Sequence, residues 1–260
     1  MKKNRLIACF DVIGGRITKG YKFQDNIDIA SPEEMAEIMS REQIDEIIFF
    51  DVMASAEKRN IDAETMKKVA AKVTVPFIVG GGIKDIGGMK EAFDAGADKI
   101  SIDSMAVRNP DLIAEGAKTF GSERIVLSTQ VLKTPSMPSG YEVYIDAAKT
   151  ATGLDCIEWL RRGEELGAGE ICINSIDRDG AANGYDIELM KLADANLSVP
   201  LIASGGAGKP EHLKEIFTET NAAAAIISSM LYSPRLERNY TVKELKDYLD
   251  SNGISIKEIV

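Results

Sequence analysis

Two stretches of this 260-residue chain have the same shape and end differently. "RLIACFD", Arg5 to Asp11, reads as a buried strand that surfaces on an acid, and "RIVLSTQ", Arg124 to Gln130, as one that surfaces on an amide. A carboxylate at a strand end can take or give a proton; an amide hydrogen-bonds but exchanges no proton at accessible pH. The single histidine, His212, opens a helix in "GKPEHLKEIF", a place that suits an exposed or capping role. One histidine excludes a His-rich metal site and a pair of His bases, so acid–base work falls to Asp, Glu, Lys or Tyr. Lys19, in the loop "GGRITKG" (Gly14–Gly20), is placed to reach over a bound ligand, the alternative being an ordinary solvated lysine.

Glycine supplies the second kind of chemistry. Glycine runs at strand ends let backbone N–H groups approach an anion, and the next helix adds its positive N-terminus. Gly80, Gly81 and Gly82, with Ser104 after a later strand, form one candidate phosphate cradle; Gly205 and Gly206, with Ser228, form another. One such run is as readily a simple turn. Two, each followed by a Ser-containing loop, predict a ligand with a phosphate at each end.

These residues need a scaffold that gathers them. Short apolar runs ("LIACFDV", "EIIFFDV", "VPFIVGG", "KISID", "RIVLSTQ", "EICINSI", "VPLIASGG", "AAAIIS") alternate with stretches of helical period from "SPEEMAEIMSR" to "TVKELKDYL". Eight strand–helix pairs predict an α/β fold of one domain, a (β/α)8 TIM barrel, with functional groups at the C-terminal strand ends. The halves also resemble each other. "GGGIKDIGGMKEAF" from Gly80 aligns with "SGGAGKPEHLKEIF" from Ser204, an offset of 124, and the opening strands align at an offset of 119. The expected barrel is therefore two similar half-barrels, about 1–121 and 122–250, with Asp11 and Gln130 in equivalent places.

Composition narrows the function classes. A net charge of −10 argues against a nucleic-acid surface. No apolar run reaches the roughly 20 residues of a membrane span, and the N-terminus has no long apolar leader. Cys9, Cys156 and Cys172, an odd number without paired spacing, read as small buried hydrophobes in a reducing, cytoplasmic protein.

"ACFDVIGGRITKG", "FFDVMASAEKR", "FIVGGGI", "AGADKISIDSMAV", "NSIDRDGAANGYD" and "IASGGAG" resemble the cyclase subunit of imidazole glycerol phosphate synthase, the HisF family of histidine biosynthesis. The resemblance implies a glutaminase partner (HisH-like) on the N-terminal face of the barrel, which releases ammonia that crosses the core. It implies a bis-phosphorylated aminoimidazole carboxamide ribonucleotide with a ribulosyl arm as substrate. No metal or redox cofactor is implied. On matching positions, Asp11 takes the place of the first catalytic aspartate, Lys19 of the loop lysine and Asp51 of a polar mouth residue. Asp179, Gly180, Gly206 and Ser228 match one phosphate site; Gly82, Asp103 and Ser104 match the other. Arg5, Glu46, Lys99 and Glu170 each lie near a strand start, and two of each sign would close the barrel floor as a ring. The family has its ammonia gate at these four positions; ordinary surface pairs are the plain alternative.

The chain departs from the family pattern at two positions. Position 103 is usually Asn in the family, and a negative charge there bonds a ligand hydroxyl better than it suits a phosphate. Position 130 carries the family's second catalytic aspartate, and here it is Gln130. Ring closure and C–N cleavage need protons both removed and delivered, and paired carboxylates divide those roles. Thr129 and Val131 should face away, and Asp146, in the hairpin-like "GYEVYIDAAKT", is a remote substitute. The stretch "VLKTPSMPSG" has no clear counterpart. The sequence thus leaves three readings open: a cyclase impaired or altered at position 130, in which Gln130→Asp should raise turnover; a paralogue that passes ammonia to another acceptor, such as a sugar in surface-polysaccharide synthesis; and a non-catalytic subunit that activates a glutaminase. A single-chain phosphoribosyl isomerase shares the repeat and the phosphate sites but needs no gate.

Overall fold

A computed structural model describes residues 3–21, 24–54, 57, 59 and 61–257. Eight parallel strands close on themselves: β1 (Arg5–Ile13), β2 (Glu46–Asp51), β3 (Phe77–Gly80), β4 (Lys99–Ile102), β5 (Ile125–Lys133), β6 (Glu170–Ser175), β7 (Leu201–Ser204) and β8 (Ala224–Ile226). Each pairs with the next, β8 returns to β1 through Arg5↔Ala224, and β5 meets β6 through Glu170↔Val126. This is the expected (β/α)8 barrel.

The outer layer holds α1 (Pro32–Arg41), α2 (Ala63–Ala70), α3 (Ile86–Asp94), α4 (Asp111–Phe120), α5 (Cys156–Glu165), α6 (Ile187–Asp194), α7 (Pro210–Glu219) and α8 (Val242–Ser251). Several start where a side chain accepts from the first-turn backbone: Ser31, Asp62, Asp85, Asp155, Asp186 and Thr241. Such caps satisfy N–H groups that the helix itself leaves unpaired. His212 is neither exposed nor a cap: it is buried, and its Nδ1 accepts at 3.2 Å from the N–H of Gly208, which lies ahead of the uncapped start of α7.

Strand alternation sorts side chains between two cores. Leu6, Ala8, Phe10, Ile47, Phe49, Phe77 and Val79 point outward and pack beneath the helices. Ile7, Cys9, Ile48, Ile78, Val126, Cys172, Ile202, Ala224 and Ile226 point inward and fill the bore of the barrel. All three cysteines are buried and unpaired in disulfides, as expected of small hydrophobes.

Two hairpins and two short helices decorate the C-terminal end. β1 and β5, each nine residues long, continue into antiparallel strands, Arg16–Tyr21 with Gln24–Ala30 and Tyr141–Ile145 with Thr150–Asp155. The second hairpin matches the expectation. The first corrects one: "GGRITKG" is not a free loop. Gly14 and Gly15 take φ of 58° and 74°, the left-handed pair that turns a two-residue hairpin, so Lys19 sits on a paired strand. The short helices, Ser104–Arg108 and Ser228–Tyr232, follow β4 and β8.

Candidate active site

The strand ends open on a concavity lined by eight of the eleven residues expected to act on or hold a substrate: Asp11, Lys19, Asp51, Gly82, Asp103, Ser104, Gln130 and Asp179. Gly180, Gly206 and Ser228, expected as a phosphate site, follow β6, β7 and β8 at the same end of the barrel but do not line this cavity. The Ser228 hydroxyl is occupied: it accepts from the Cys9 N–H at 2.6 Å and donates to the Cys9 carbonyl at 2.9 Å. What Ser228 can offer an anion is its backbone rather than its side chain.

Both glycine clusters stand at strand C-termini, on one end of the cylinder. Gly81 has φ of 87°, and a Cβ there would run into the Asp51 carbonyl; Gly206 has φ of 108°, and its Cβ would strike the Gly184 carbonyl. Neither place admits another residue without a shift of backbone.

On the β1 side, Lys19 Nζ donates to Asp11 Oδ2 at 2.7 Å, and Cys9 Sγ lies 3.5 Å from Asp11 Oδ1. Burial opposes the Lys19 charge, but Asp11, with Tyr232 and Asp179 behind it, outweighs that and lifts the ammonium well above its ordinary range. The lysine is therefore a permanent cation and Asp11 its partner. Asp179 joins this side, its Oδ2 accepting from Asn174 Nδ2 at 3.2 Å; burial raises its pKa while Lys19 pulls it back.

Across the mouth, four strands away in a ring of eight, Gln130 does not stand alone. Its Nε2 donates to Asp103 Oδ2 at 2.6 Å. Burial, countered in part by that amide, pushes Asp103 up to about 7. The other amide atom, Gln130 Oε1, is buried without a hydrogen-bond partner. Beside the pair, Ser104 Oγ accepts from the Asp146 N–H at 3.0 Å, and Arg108 holds the Asp146 carboxylate at 2.6 Å. Asp146 is thus nearer the site than its place in the sequence suggests; its Oδ2 is held by Arg108, while its Oδ1 is buried without a hydrogen-bond partner. Asp51, by contrast, is fully engaged. Arg59 grips both of its oxygens, at 2.5 and 2.7 Å, so Asp51 shapes the wall without offering a free carboxylate.

Sequence reasoning missed the inner polar tier. Ser101 and Ser128 share a hydrogen bond of 2.6 Å, and Ser204 donates to Asn174 at 2.7 Å. The signal was available in alternation: Lys99, Ser101 and Asp103 face inward together, as do Glu170, Cys172 and Asn174.

At the opposite end, Arg5 reaches both Glu46 and Glu170, and Lys99 meets Glu46 at 2.9 Å and Glu170 at 2.8 Å. The four close a cycle in which each cation has two carboxylates and each carboxylate two cations. Burial pushes the Glu46 carboxyl upward, and Arg5 and Lys99 draw it down again. This matched arrangement is what makes buried charge tolerable.

The model of the family described as histidine biosynthesis protein matches residues 5–237. The chain is 46% identical to the imidazole glycerol phosphate synthase subunit HisF of Desulfosudis oleivorans, over 99% of both chains. It is 44% identical to the HisF subunit of Desulfatibacillum aliphaticivorans over 99% of both, and 42% identical to that of Solidesulfovibrio magneticus over 100% of both. The chain belongs to the HisF family. Within this HisF chain, Asp11 and Lys19 meet as an ion pair, and position 130 faces the same cavity from the far wall.

Proposed function

We propose that this HisF chain is the cyclase subunit of imidazole glycerol phosphate synthase, working in histidine biosynthesis with ammonia from a glutaminase. The observation that carries the reading is the closed Arg5–Glu46–Lys99–Glu170 ring at the strand starts, separated from the Asp11 cavity only by the apolar bore. A subunit that merely stimulated a glutaminase would need no cavity with paired acids. One serving an unphosphorylated sugar would need no glycine clusters.

In this reading the glutaminase docks on the N-terminal face, over the ring. The bis-phosphorylated ribulosyl aminoimidazole carboxamide ribonucleotide lies across the mouth, one phosphate against Gly82 and Ser104, the other against Gly180, Gly206 and the Ser228 backbone. Each half-barrel thereby contributes one cradle. Asp11, paired with Lys19, is placed to take a proton from the incoming nitrogen. Holding both reactants at one spot supplies much of the acceleration, because their translational freedom is surrendered on binding.

Purified protein supplied with an ammonium salt and the bis-phosphorylated substrate should turn it over to imidazole glycerol phosphate. Lys99→Ala should alter turnover driven by glutamine and its glutaminase while leaving ammonium-driven turnover in place. No turnover from either nitrogen source sinks the cyclase reading; equal effects of Lys99→Ala on both sources sink the gate.

A further inference from the structure

Four carboxyl groups line the cavity, and their partners differ in kind. Asp11 is held by Lys19, Asp51 by Arg59, and Asp179 lies in the field of Lys19. Asp103 is bonded to a neutral amide, that of Gln130. The charged groups that face Asp103 are Asp146 and Arg108, at the hairpin tip and on the short helix, and these two are paired with each other. Behind it on β6 stands the Cys172 thiol, which burial pushes up to about 12 and so keeps neutral.

We propose that Asp103 is the second catalytic carboxyl of this enzyme, with Gln130 as its positioning residue. The inference rests on the cyclase reading above and deepens it. A carboxyl whose partner is an amide keeps a proton that one beside a lysine or arginine gives up. At about 7, Asp103 is half protonated where cells work, the condition in which a general acid is most effective. Gln130 suits both states of its neighbour: Nε2 donates to ionised Asp103, and the partnerless Oε1 can accept from protonated Asp103 once the amide turns over. The carboxyl and the amide have in effect exchanged places between positions 103 and 130, so the cavity keeps one of each on its far wall.

The division of labour follows from the partners. The nitrogen lone pair of ammonia forms a C–N bond to the ketone carbon of the ribulosyl arm, and the C=O π pair moves to oxygen. That oxygen takes the proton of Asp103, and the positively charged nitrogen gives a proton to Asp11. The product is a neutral amino alcohol, with Asp103 ionised and Asp11 protonated.

The test uses the full chain with an ammonium salt and the bis-phosphorylated substrate. Asp103→Asn should lower kcat by about 10²–10⁴ with KM little changed, and should abolish the fall in rate as pH rises through about 7. The double variant Asp103→Asn, Gln130→Asp puts a carboxyl back on the same wall and should recover much of that loss. Gln130→Leu removes an interaction that favours the ionised form, so its rate should fall off at higher pH than in the unaltered protein. If Asp103→Asn turns over like the unaltered protein with the same pH profile, the inference fails and the cyclase reading stands. It also fails if the double variant binds substrate normally, by calorimetric titration, yet is no faster than Asp103→Asn. An unaltered protein that binds the substrate and never turns it over overturns the cyclase reading and this role with it.

Discussion

Asp11 and Asp103 show the same side chain set against two kinds of neighbour, a lysine and an amide. Replacing Asp11 by Asn preserves the shape while removing the proton acceptor, so ammonium-driven kcat should fall by about 10²–10⁴. Asp103 also leaves a mark that needs no substrate. Its folded value, about 7, lies above its ordinary 3.8, so the folded chain holds this proton more tightly than the unfolded one. Its stabilising contribution is complete below the ordinary value and is lost as pH rises through about 7. The stability of the unaltered protein relative to Asp103→Asn should therefore decline between pH 4 and pH 8 in urea melts, and a flat difference would contradict the raised affinity. At this scale the sequence was half legible. Asp11 follows from the alternation of its strand, which turns it into the cavity. Asp103 and Gln130 were read as separate losses because nothing in their spacing of 27 residues shows that adjacent strands β4 and β5 bring them to 2.6 Å.

Elements set the accuracy with which those residues are held. All eight strands and all eight long helices could be read from period and caps, because each carries its own local signal. The Gly14–Gly15 turn was less legible, since a glycine pair reads as well for an open loop as for a hairpin; the pairings Asp11↔Thr18, Val12↔Ile17 and Ile13↔Arg16 distinguish them. The short helices after β4 and β8, five residues each, have too little length for a periodic pattern. Beyond β5, Asp146, Ala147 and Ala148 adopt φ of 58°, 55° and 62° in succession, a left-handed tip that the chain tolerates while Ser104 and Arg108 hold it down. Gly81 has no such latitude. Gly81→Ala puts a methyl group into the Asp51 carbonyl at a left-handed φ, and should cost about 1–3 kcal/mol in urea unfolding and weaken substrate binding. An alanine variant as stable as the parent would show that this loop can shift freely.

For the whole molecule, closure of the cylinder joins distant parts of the chain, and one buried pair makes that concrete. Lys246 of α8 meets Asp45, ahead of β2, at 2.7 Å, and Asp45 also accepts from the Leu6 N–H at 2.8 Å. Lys246→Met strands a buried carboxylate and should destabilise by about 3–5 kcal/mol, seen as a lower urea midpoint with an unchanged slope. A smaller loss would mean that water reaches Asp45. The packed bore has a different consequence. Ile7, Ile48, Ile78, Val126, Ile202 and Ala224 belong to the bore but not to the cavity lining, and they offer an ion nothing to replace its hydration, so in the proposed reading only an unprotonated nitrogen base would make the crossing. Nitrogen arriving from below would thus be nucleophilic whatever the acidity outside, whereas ammonium added to the medium must shed its proton first. The ratio of glutamine-driven to ammonium-driven rates should then climb steeply as the solution is acidified.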